Sequence, residues 1–478
     1  MKKYYIQTFG CSMNQADSEK INMILMQSGF VKVSSWREAN LVIFNTCSVR
    51  KKWEDRVFGT FREIDKENKK RDNKIIVGIT WCMVRKTGVN RKYIQEEIKR
   101  EKAKKIELLN TGNEIFNNDD KLFPRIPNLD FTLRIEEVKY LNQVLSRIYN
   151  EPIGIDDKFD DYLKQKQLRE NPNQAQIIIQ TWCDNYCTFC IVPYTRWKEI
   201  SRKKEEILEE IKEAVEWWAK EINLIGQNVN SYGKQFVDKE LWNEEKSSWD
   251  NWIGKSPFRD LLESIDQLWV ERLRFTSSNP HDMTSDILAS HFDLKSPCNY
   301  LHFALQSWNN QVLKKMNRKH SYIDFKKQVE YLRSRDPLFS ISTDIIVWYS
   351  WETEEMFQDT LDAIEECEFD FVYNARYSVR PWTIAAKLYP DDVPDKTKAE
   401  RWHILNNLMK QNVGKRSELM IGREEDILIS WEKDNQFFWR TRNFKEVFFE
   451  KKEWIKVWDI VVVKIIDLDK WVLRGSLI

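Results

Sequence analysis

Strand-like and helical stretches alternate along most of this chain, and that alternation limits its fold more than any other feature. Tyr4–Phe9, Leu41–Asn45 and Ile75–Thr80 are short apolar runs rich in β-formers, while Ser18–Ser28 has helical spacing and stops at Gly29. Residues 1–150 therefore read as a parallel α/β domain. The charged stretch that follows carries Pro152 and Pro172, and residues 151–172 read as a connector. From Gln176 the alternation resumes in six candidate strands: Gln176–Gln180, Ile222–Gly226, Arg272–Thr276, Leu301–Gln306, Ile341–Val347 and Phe371–Tyr377. Six consecutive β/α units predict a barrel or an open partial barrel over 173–412, with its active site at the strands' carboxyl ends. Val237–Lys255 interrupts one unit and reads as a solvated insertion. After Gly414 only short strands follow, Asp426–Trp431, Phe437–Arg440, Val447–Glu450 and Asp459–Ile466. They predict a small antiparallel β-barrel at 413–478. The fold class is α/β with an appended β-barrel.

The cysteines are placed on this pattern with regularity. Cys11, Cys47 and Cys82 each follow one of the first three strands, about one βαβ repeat apart. Residues so placed gather in the crevice at the carboxyl ends of a parallel sheet. Cys183, Cys187 and Cys190 form a CxxxCxxC loop, TWCDNYCTFCIVPYTR, directly after the first barrel strand. Three thiolates on one loop can hold three irons of a 4Fe-4S cube and leave the fourth iron open. A structural zinc site would need four ligands, and no nearby His or Cys completes one. Buried, inert thiols are the alternative for Cys11, Cys47 and Cys82.

Tryptophan is abundant at 21 residues and glycine scarce at 13, and together they approach the roughly 7% expected of glycine alone. Trp308, Trp351 and Trp458 stand where a turn wants glycine, whose missing Cβ permits positive φ. Either the protein is unusually aromatic, or many of these positions are UGA codons that the source organism reads as glycine.

With 76 Lys and Arg against 75 Asp and Glu, net charge gives no indication of a nucleic-acid partner, which would need a local patch. The start MKKYYIQTFG runs straight into a strand, so no signal peptide is expected, and no 18-residue apolar run predicts a membrane span. A cytoplasmic monomer, independent of membranes, is the expectation.

The cysteine loop is similar to the signature of the radical S-adenosylmethionine superfamily. Across nearly its whole length the chain resembles the methylthiotransferase family, in QTFGCSMNQADSE, FNTCSVRKKWEDRVFG, CDNYCTFCIVPYTR, INLIGQNVNSYG, LRFTSSNPHD, LQSWNNQVLKKMNR, STDIIVWYSWETEE and YSVRPWTIAA. The resemblance implies an N-terminal domain with its own cluster, a partial radical-SAM (β/α)6 barrel and a terminal TRAM β-barrel that binds RNA. It implies that Cys183, Cys187 and Cys190 hold a 4Fe-4S cluster whose open iron chelates S-adenosylmethionine. Electron transfer there would yield a 5′-deoxyadenosyl radical. Cys11, Cys47 and Cys82 would hold an auxiliary 4Fe-4S cluster that carries the inserted sulfur. Phe189 resembles an aromatic beside the adenine, with plain packing as its rival, and Gln227 is a candidate for cofactor contact or for turn stabilisation. Arg196 would pair with a carboxylate or phosphate, or cap its loop. Cys298 and Cys367 match no ligand position.

The partners implied are a tRNA substrate, an electron donor such as flavodoxin or ferredoxin, and a sulfur donor. Three substrates compete within the family: isopentenylated adenosine at position 37 of tRNA, threonylcarbamoyl-adenosine in tRNA, and an aspartate of a ribosomal protein. PYTRWKEISR and GQNVNSYG favour the first. A non-catalytic iron–sulfur protein that binds RNA is the alternative of another class, whereas a simple methyltransferase leaves six clustered thiols unexplained. Trp81, Trp182, Trp197, Trp308, Trp348, Trp351, Trp382, Trp431, Trp439 and Trp458 fall on family glycines, so all ten are expected to be glycine at positive φ.

Overall fold

The computed structural model describes residues 1–47, 51–81, 83–84, 126, 128–154, 162–165, 167–169, 171–195, 199–237, 254–380, 383–433 and 435–478. Cys82, Arg196, Trp197 and Trp382, and most of the expected insertion at 237–255, lie outside the described residues. The chain divides into two compact units. One comprises Met1–Glu170, Thr181–Ile200 and Arg380–Leu388; the other comprises Asn171–Gln180, Ser201–Val379 and Tyr389–Ile478.

The first unit is built on strands β1 (Lys3–Thr8), β2 (Val31–Lys32), β3 (Leu41–Thr46), β4 (Ile76–Trp81) and β5 (Phe131–Leu133), in the order β2-β1-β3-β4-β5. Every pairing is parallel, as the alternation predicts. β3 is buried along its whole length, which explains its unbroken LVIFNT run. The helix Ser12–Gln27 starts six residues before the expected Ser18. Its first turns bury Asn14, Asp17, Ser18, Glu19 and Lys20, so the inward face is polar and leaves no apolar periodicity to read.

In the second unit β6 (Gln174–Ile178), β9 (Glu221–Ile225) and β10 (Arg272–Phe275) form one parallel sheet. The short β7 (Gln180–Thr181) and β8 (Ile200–Ser201) pair separately. A second parallel sheet comprises β11 (Tyr300–His302), β12 (Ser340–Val347) and β13 (Phe371–Arg376). Parallel bridges Leu273–Pro297 and Ser278–Phe303 continue one sheet into the other. The result is a partial barrel of six parallel strands, and its core includes Ile177, Leu224, Leu273, Phe303, Ile341 and Val372.

The helix Asp395–Glu418 runs through Gly414, and strands begin only at Glu424. β14 (Glu424–Lys433), β15 (Gln436–Arg440), β16 (Glu446–Glu450), β17 (Ile460–Asp469) and β18 (Val472–Leu477) close a barrel in the order β14-β15-β16-β18-β17. Its pairings are antiparallel except β16 with β18, which is parallel. The last strand, broken by Gly475, is the one that sequence patterning misses. Gly475 is required there, because a Cβ would lie 2.1 Å from a methyl of Val463.

Candidate metal centres and cofactor-binding loops

Cys11 caps the helix Ser12–Gln27 directly after β1, and Cys47 follows the neighbouring strand β3. Gly10 brings the two loops together: its φ is +131°, and a Cβ on it would sit 2.8 Å from the Cys47 Cβ. The Cys11 thiol lies 3.5 Å from Asn14 Oδ1. Buried asparagines lace the loops. Asn14 Nδ2 donates to Asn45 Oδ1 at 2.9 Å and to the Thr46 carbonyl at 3.0 Å, and Asn45 Nδ2 donates to the Asn14 carbonyl at 2.7 Å and to Ser18 Oγ at 2.8 Å. The Thr46 hydroxyl reaches across to the Thr80 carbonyl on β4 at 2.7 Å. Strand order thus sets Cys11 and Cys47 at adjacent strand ends, and β4 ends at Trp81, the residue before Cys82. Sequence reasoning missed Asn14 and Asn45, although polar residues beside a cysteine in a buried run are a readable signal.

Cys183, Cys187 and Cys190 are half-buried in one loop of the first unit, and none of the described cysteines is in a disulfide. The Cys190 amide donates to the Cys187 carbonyl at 2.9 Å, and the Asp184 amide to Glu199 Oε2 at 3.1 Å. Desolvation pushes the Cys183 thiol pKa well up, helped by the negative charge of Glu199 and by the thiols of Cys187 and Cys190. Among the described residues no set of three His, Cys, Asp or Glu side chains already stands in ligating geometry. The loop presents three thiols with no fourth Cys or His beside them in the sequence, a set that would fit three irons of a 4Fe-4S cluster. Phe189 is half-buried between the second and third thiols. The segment Arg380–Leu388 holds the loop from the side through the Ala385 amide, which donates to the Thr188 carbonyl at 2.9 Å. Arg380 pairs in turn with Glu54 at 3.5 Å.

In the second unit Gln227 is half-buried in the turn after β9, at the expected carboxyl end. Around it runs a buried polar belt that sequence reasoning did not single out. Gln180 Nε2 donates to the Asn228 carbonyl at 2.5 Å and to Ser231 Oγ at 3.0 Å. Asn228 Nδ2 donates to Asp282 Oδ2 at 2.6 Å, and Lys234 Nζ pairs with Asp282 Oδ1 at 2.6 Å. Asn230 and the backbone of Asn279 exchange two further hydrogen bonds. Burial raises the Asp282 pKa, but the charges of Lys234 and His281 outweigh it and hold the carboxyl well below its ordinary value. Cys298 and Cys367 are both buried. Cys298 accepts a bond from His291 at its carbonyl, and burial raises the Cys367 thiol to about 12.

The tryptophan expectation divides. Trp81, Trp182, Trp348, Trp351 and Trp458 have φ between 67° and 82°. Trp431 and Trp439 do not fit it: they lie in β14 and β15, in register with Phe438 and Ile429, where extended backbone accepts any residue. Trp308 is not among the described residues with positive φ, and it packs against Tyr322 with ring centroids 4.1 Å apart. Trp218 (φ 71°) and Trp269 (φ 57°), which the sequence did not flag, join the first group.

Residues 177–364 match the radical SAM superfamily, and residues 3–105 match the family described as Uncharacterized protein family UPF0004. The partial barrel and its cysteine loop are those of a radical S-adenosylmethionine enzyme, whose cofactors are a 4Fe-4S cluster and S-adenosylmethionine. A tRNA-2-methylthio-N(6)-dimethylallyladenosine synthase from Protochlamydia amoebophila is 35% identical over 94% of this chain and 90% of that protein. A synthase of the same name from Dictyoglomus thermophilum is 33% identical over 100% of this chain and 99% of its own. Among solved structures, the radical S-adenosylmethionine methyltransferase TsrM from Kitasatospora setae aligns with a TM-score of 0.48, at 12% identity over 80% of this chain and 77% of that one. The chain belongs to the radical S-adenosylmethionine methylthiotransferase family. No helix among the described residues is long and apolar enough to cross a membrane.

Proposed function

We propose that this enzyme methylthiolates N6-isopentenyladenosine at position 37 of tRNA, giving 2-methylthio-N6-isopentenyladenosine. The observation that carries this reading is the end-to-end similarity to synthases named for that product. In this reading Cys183, Cys187 and Cys190 hold the cluster that meets S-adenosylmethionine, with Phe189 and Gln227 as cofactor contacts. Cys11, Cys47 and Cys82 hold a second 4Fe-4S cluster, beside which the Asn14–Asn45 pair keeps the strand-end loops in register. When bound, the loop cluster supplies the electron that breaks the sulfonium of S-adenosylmethionine. A flavodoxin or ferredoxin supplies that electron to the protein, a separate donor replaces the sulfur, and the terminal β-barrel contributes RNA contacts.

The test is nucleoside mass spectrometry after anaerobic reaction of the reconstituted enzyme with two tRNA preparations, one isopentenylated at the adenosine and one bare. The 2-methylthio product should form only on the isopentenylated tRNA. Methylthiolation of threonylcarbamoyl-adenosine, or of a ribosomal-protein aspartate with none of tRNA, would assign the chain to a sister activity.

A further inference from the structure

Among the described residues, seven of the sixteen non-glycine residues with positive φ are tryptophan, against three asparagines, the residue type that tolerates this region best after glycine. Four helices among the described residues end with the same pair of hydrogen bonds, a 6→1 and a 5→2, around a left-handed residue. After Ser12–Gln27 that residue is Gly29 (φ 81°), with Phe30 N–H on the Leu25 carbonyl and Gly29 N–H on the Met26 carbonyl. After Leu141–Tyr149 and Asn310–Lys315 it is Asn150 and Asn317. After Lys204–Glu216 it is Trp218, with Ala219 N–H on the Ala214 carbonyl and Trp218 N–H on the Val215 carbonyl. Trp218 is 77% exposed, so its indole gains little from packing that could offset the backbone conformation. Trp269, 84% exposed, lies in the turn three residues past the helix Pro257–Asp266, with its N–H 3.4 Å from the Asp266 carbonyl, and its indole likewise gains little from packing.

The same substitution recurs at the cluster loops. The residue directly before Cys11 is Gly10, at positive φ and too crowded for any Cβ. The residues directly before Cys82 and Cys183 are Trp81 (φ 79°) and Trp182 (φ 78°), both buried. Trp348 (φ 67°) is fully buried, yet its indole N–H meets no hydrogen-bond acceptor among the described residues, which a buried tryptophan ordinarily finds. Exposed caps, cluster loops and a core turn share no selective reason for an indole. They share a backbone that calls for glycine. UGA differs by one base from the glycine codon GGA and by one base from the tryptophan codon UGG.

We infer that residues 81, 182, 218, 269, 348, 351 and 458 are glycine in the enzyme its source organism makes, each encoded by UGA. Those before Cys82 and Cys183 are then positioning residues, giving the two cysteine loops the turn that Gly10 gives the first. By contrast Trp402, in the middle of the helix Asp395–Glu418 with its indole N–H 3.4 Å from the Asn374 carbonyl, is a true tryptophan.

The gene and the native protein test this directly. UGA codons at the seven positions, with peptides from the source organism carrying glycine there and tryptophan at 402, are the expected result. UGG codons, or tryptophan in those peptides, would overturn the inference. Two further variants test the physical cause in a host that inserts tryptophan. Trp218→Gly should raise the melting temperature by a few degrees, and Trp218→Ala, which keeps a Cβ at positive φ, should raise it less. Equal gains would overturn the backbone argument. The sevenfold Trp→Gly protein should also bind more iron on anaerobic reconstitution than the all-tryptophan chain, and equal iron content would overturn the positioning role.

Discussion

Arg272, on strand β10 of the partial barrel, and Asp426, on strand β14 of the terminal β-barrel, form an ion pair 3.0 Å apart. The Arg272 guanidinium also donates to the carbonyls of Arg440 and Asp426 at 2.9 and 2.7 Å. Two residues further along the same strand, Arg274 pairs with Glu221 at 2.9 Å and donates to the carbonyls of Thr441 and Arg442. Asp370 receives Lys445 at 2.8 Å and Arg416 at 3.4 Å, and the charges of those two cations hold its carboxyl low against the burial that would raise it. The terminal barrel is therefore fastened to the catalytic barrel by buried charge. It is not a bead on a linker.

Arg272 is fully buried, while Asp426 is 37% exposed, so the two partners are not equivalent. Arg272→Met should cost about 3–5 kcal/mol, the usual penalty for breaking a buried, hydrogen-bonded charge. Asp426→Asn should cost under about 1 kcal/mol, because the carbonyl contacts survive and the exposed carboxylate is screened. Thermal melts of the two variants check this, and equal losses would show that the carbonyl bonds contribute little. Deleting everything beyond Gly414 removes Arg416, which also donates to the Pro337 and Phe339 carbonyls. That truncation should unfold the catalytic barrel rather than isolate its RNA binding, so truncated protein that still cleaves S-adenosylmethionine at full rate would contradict the docking role.

Iron content separates the two cysteine sets. Anaerobic reconstitution should give about eight irons per chain. Replacing Cys183, Cys187 and Cys190 with Ala should leave about half, as should replacing Cys11, Cys47 and Cys82. The second variant should still cleave S-adenosylmethionine but insert no sulfur. Four irons in the unaltered protein would remove the auxiliary cluster.

Asn45→Ala removes one of the two acceptors of the Asn14 side-chain amide and the donor to the Asn14 carbonyl, at a cost of about 1–3 kcal/mol. Asn45 lies near the end of β3, two residues before Cys47 and far in sequence from the CxxxCxxC loop. Iron should fall towards half while reductive cleavage of S-adenosylmethionine persists. A variant that keeps all its iron would show that the strand ends hold their thiols without the asparagine pair.

Asp282 gives a pH dependence. Its folded pKa lies below the ordinary value of 3.8, so the Lys234 pair adds stability above that pH and loses it as the pH falls through the window beneath. Asp282→Asn should remove that acid-side dependence and cost about 3 kcal/mol at neutral pH, since Lys234 loses its counter-charge and one of the two acceptor oxygens becomes a donor. Urea melts between pH 3 and 7 measure both, and parallel curves for parent and variant would argue against the pair.

The sequence by itself determined the order of elements and the positions of the thiols. Apolar runs of β-formers separated by helical spacing suffice to place six barrel strands and the three-cysteine loop, because those signals are local. It also pointed to Trp81, Trp182, Trp348, Trp351 and Trp458 as glycine positions. Only the tertiary structure decided which tryptophans carry positive φ: Trp431 and Trp439 proved to be strand residues, Trp218 proved to close a helix end, and Trp269 proved to lie in the turn after one. Backbone sign depends on the hydrogen bonds that close a turn, and residue type alone does not carry it. The Asn14–Asn45 pair, the Lys234–Asp282 belt and the Arg272 fastening were illegible for the same reason. Each joins residues 31 to 154 positions apart, and a polar side chain reveals its burial only once the partner that satisfies it has been folded against it.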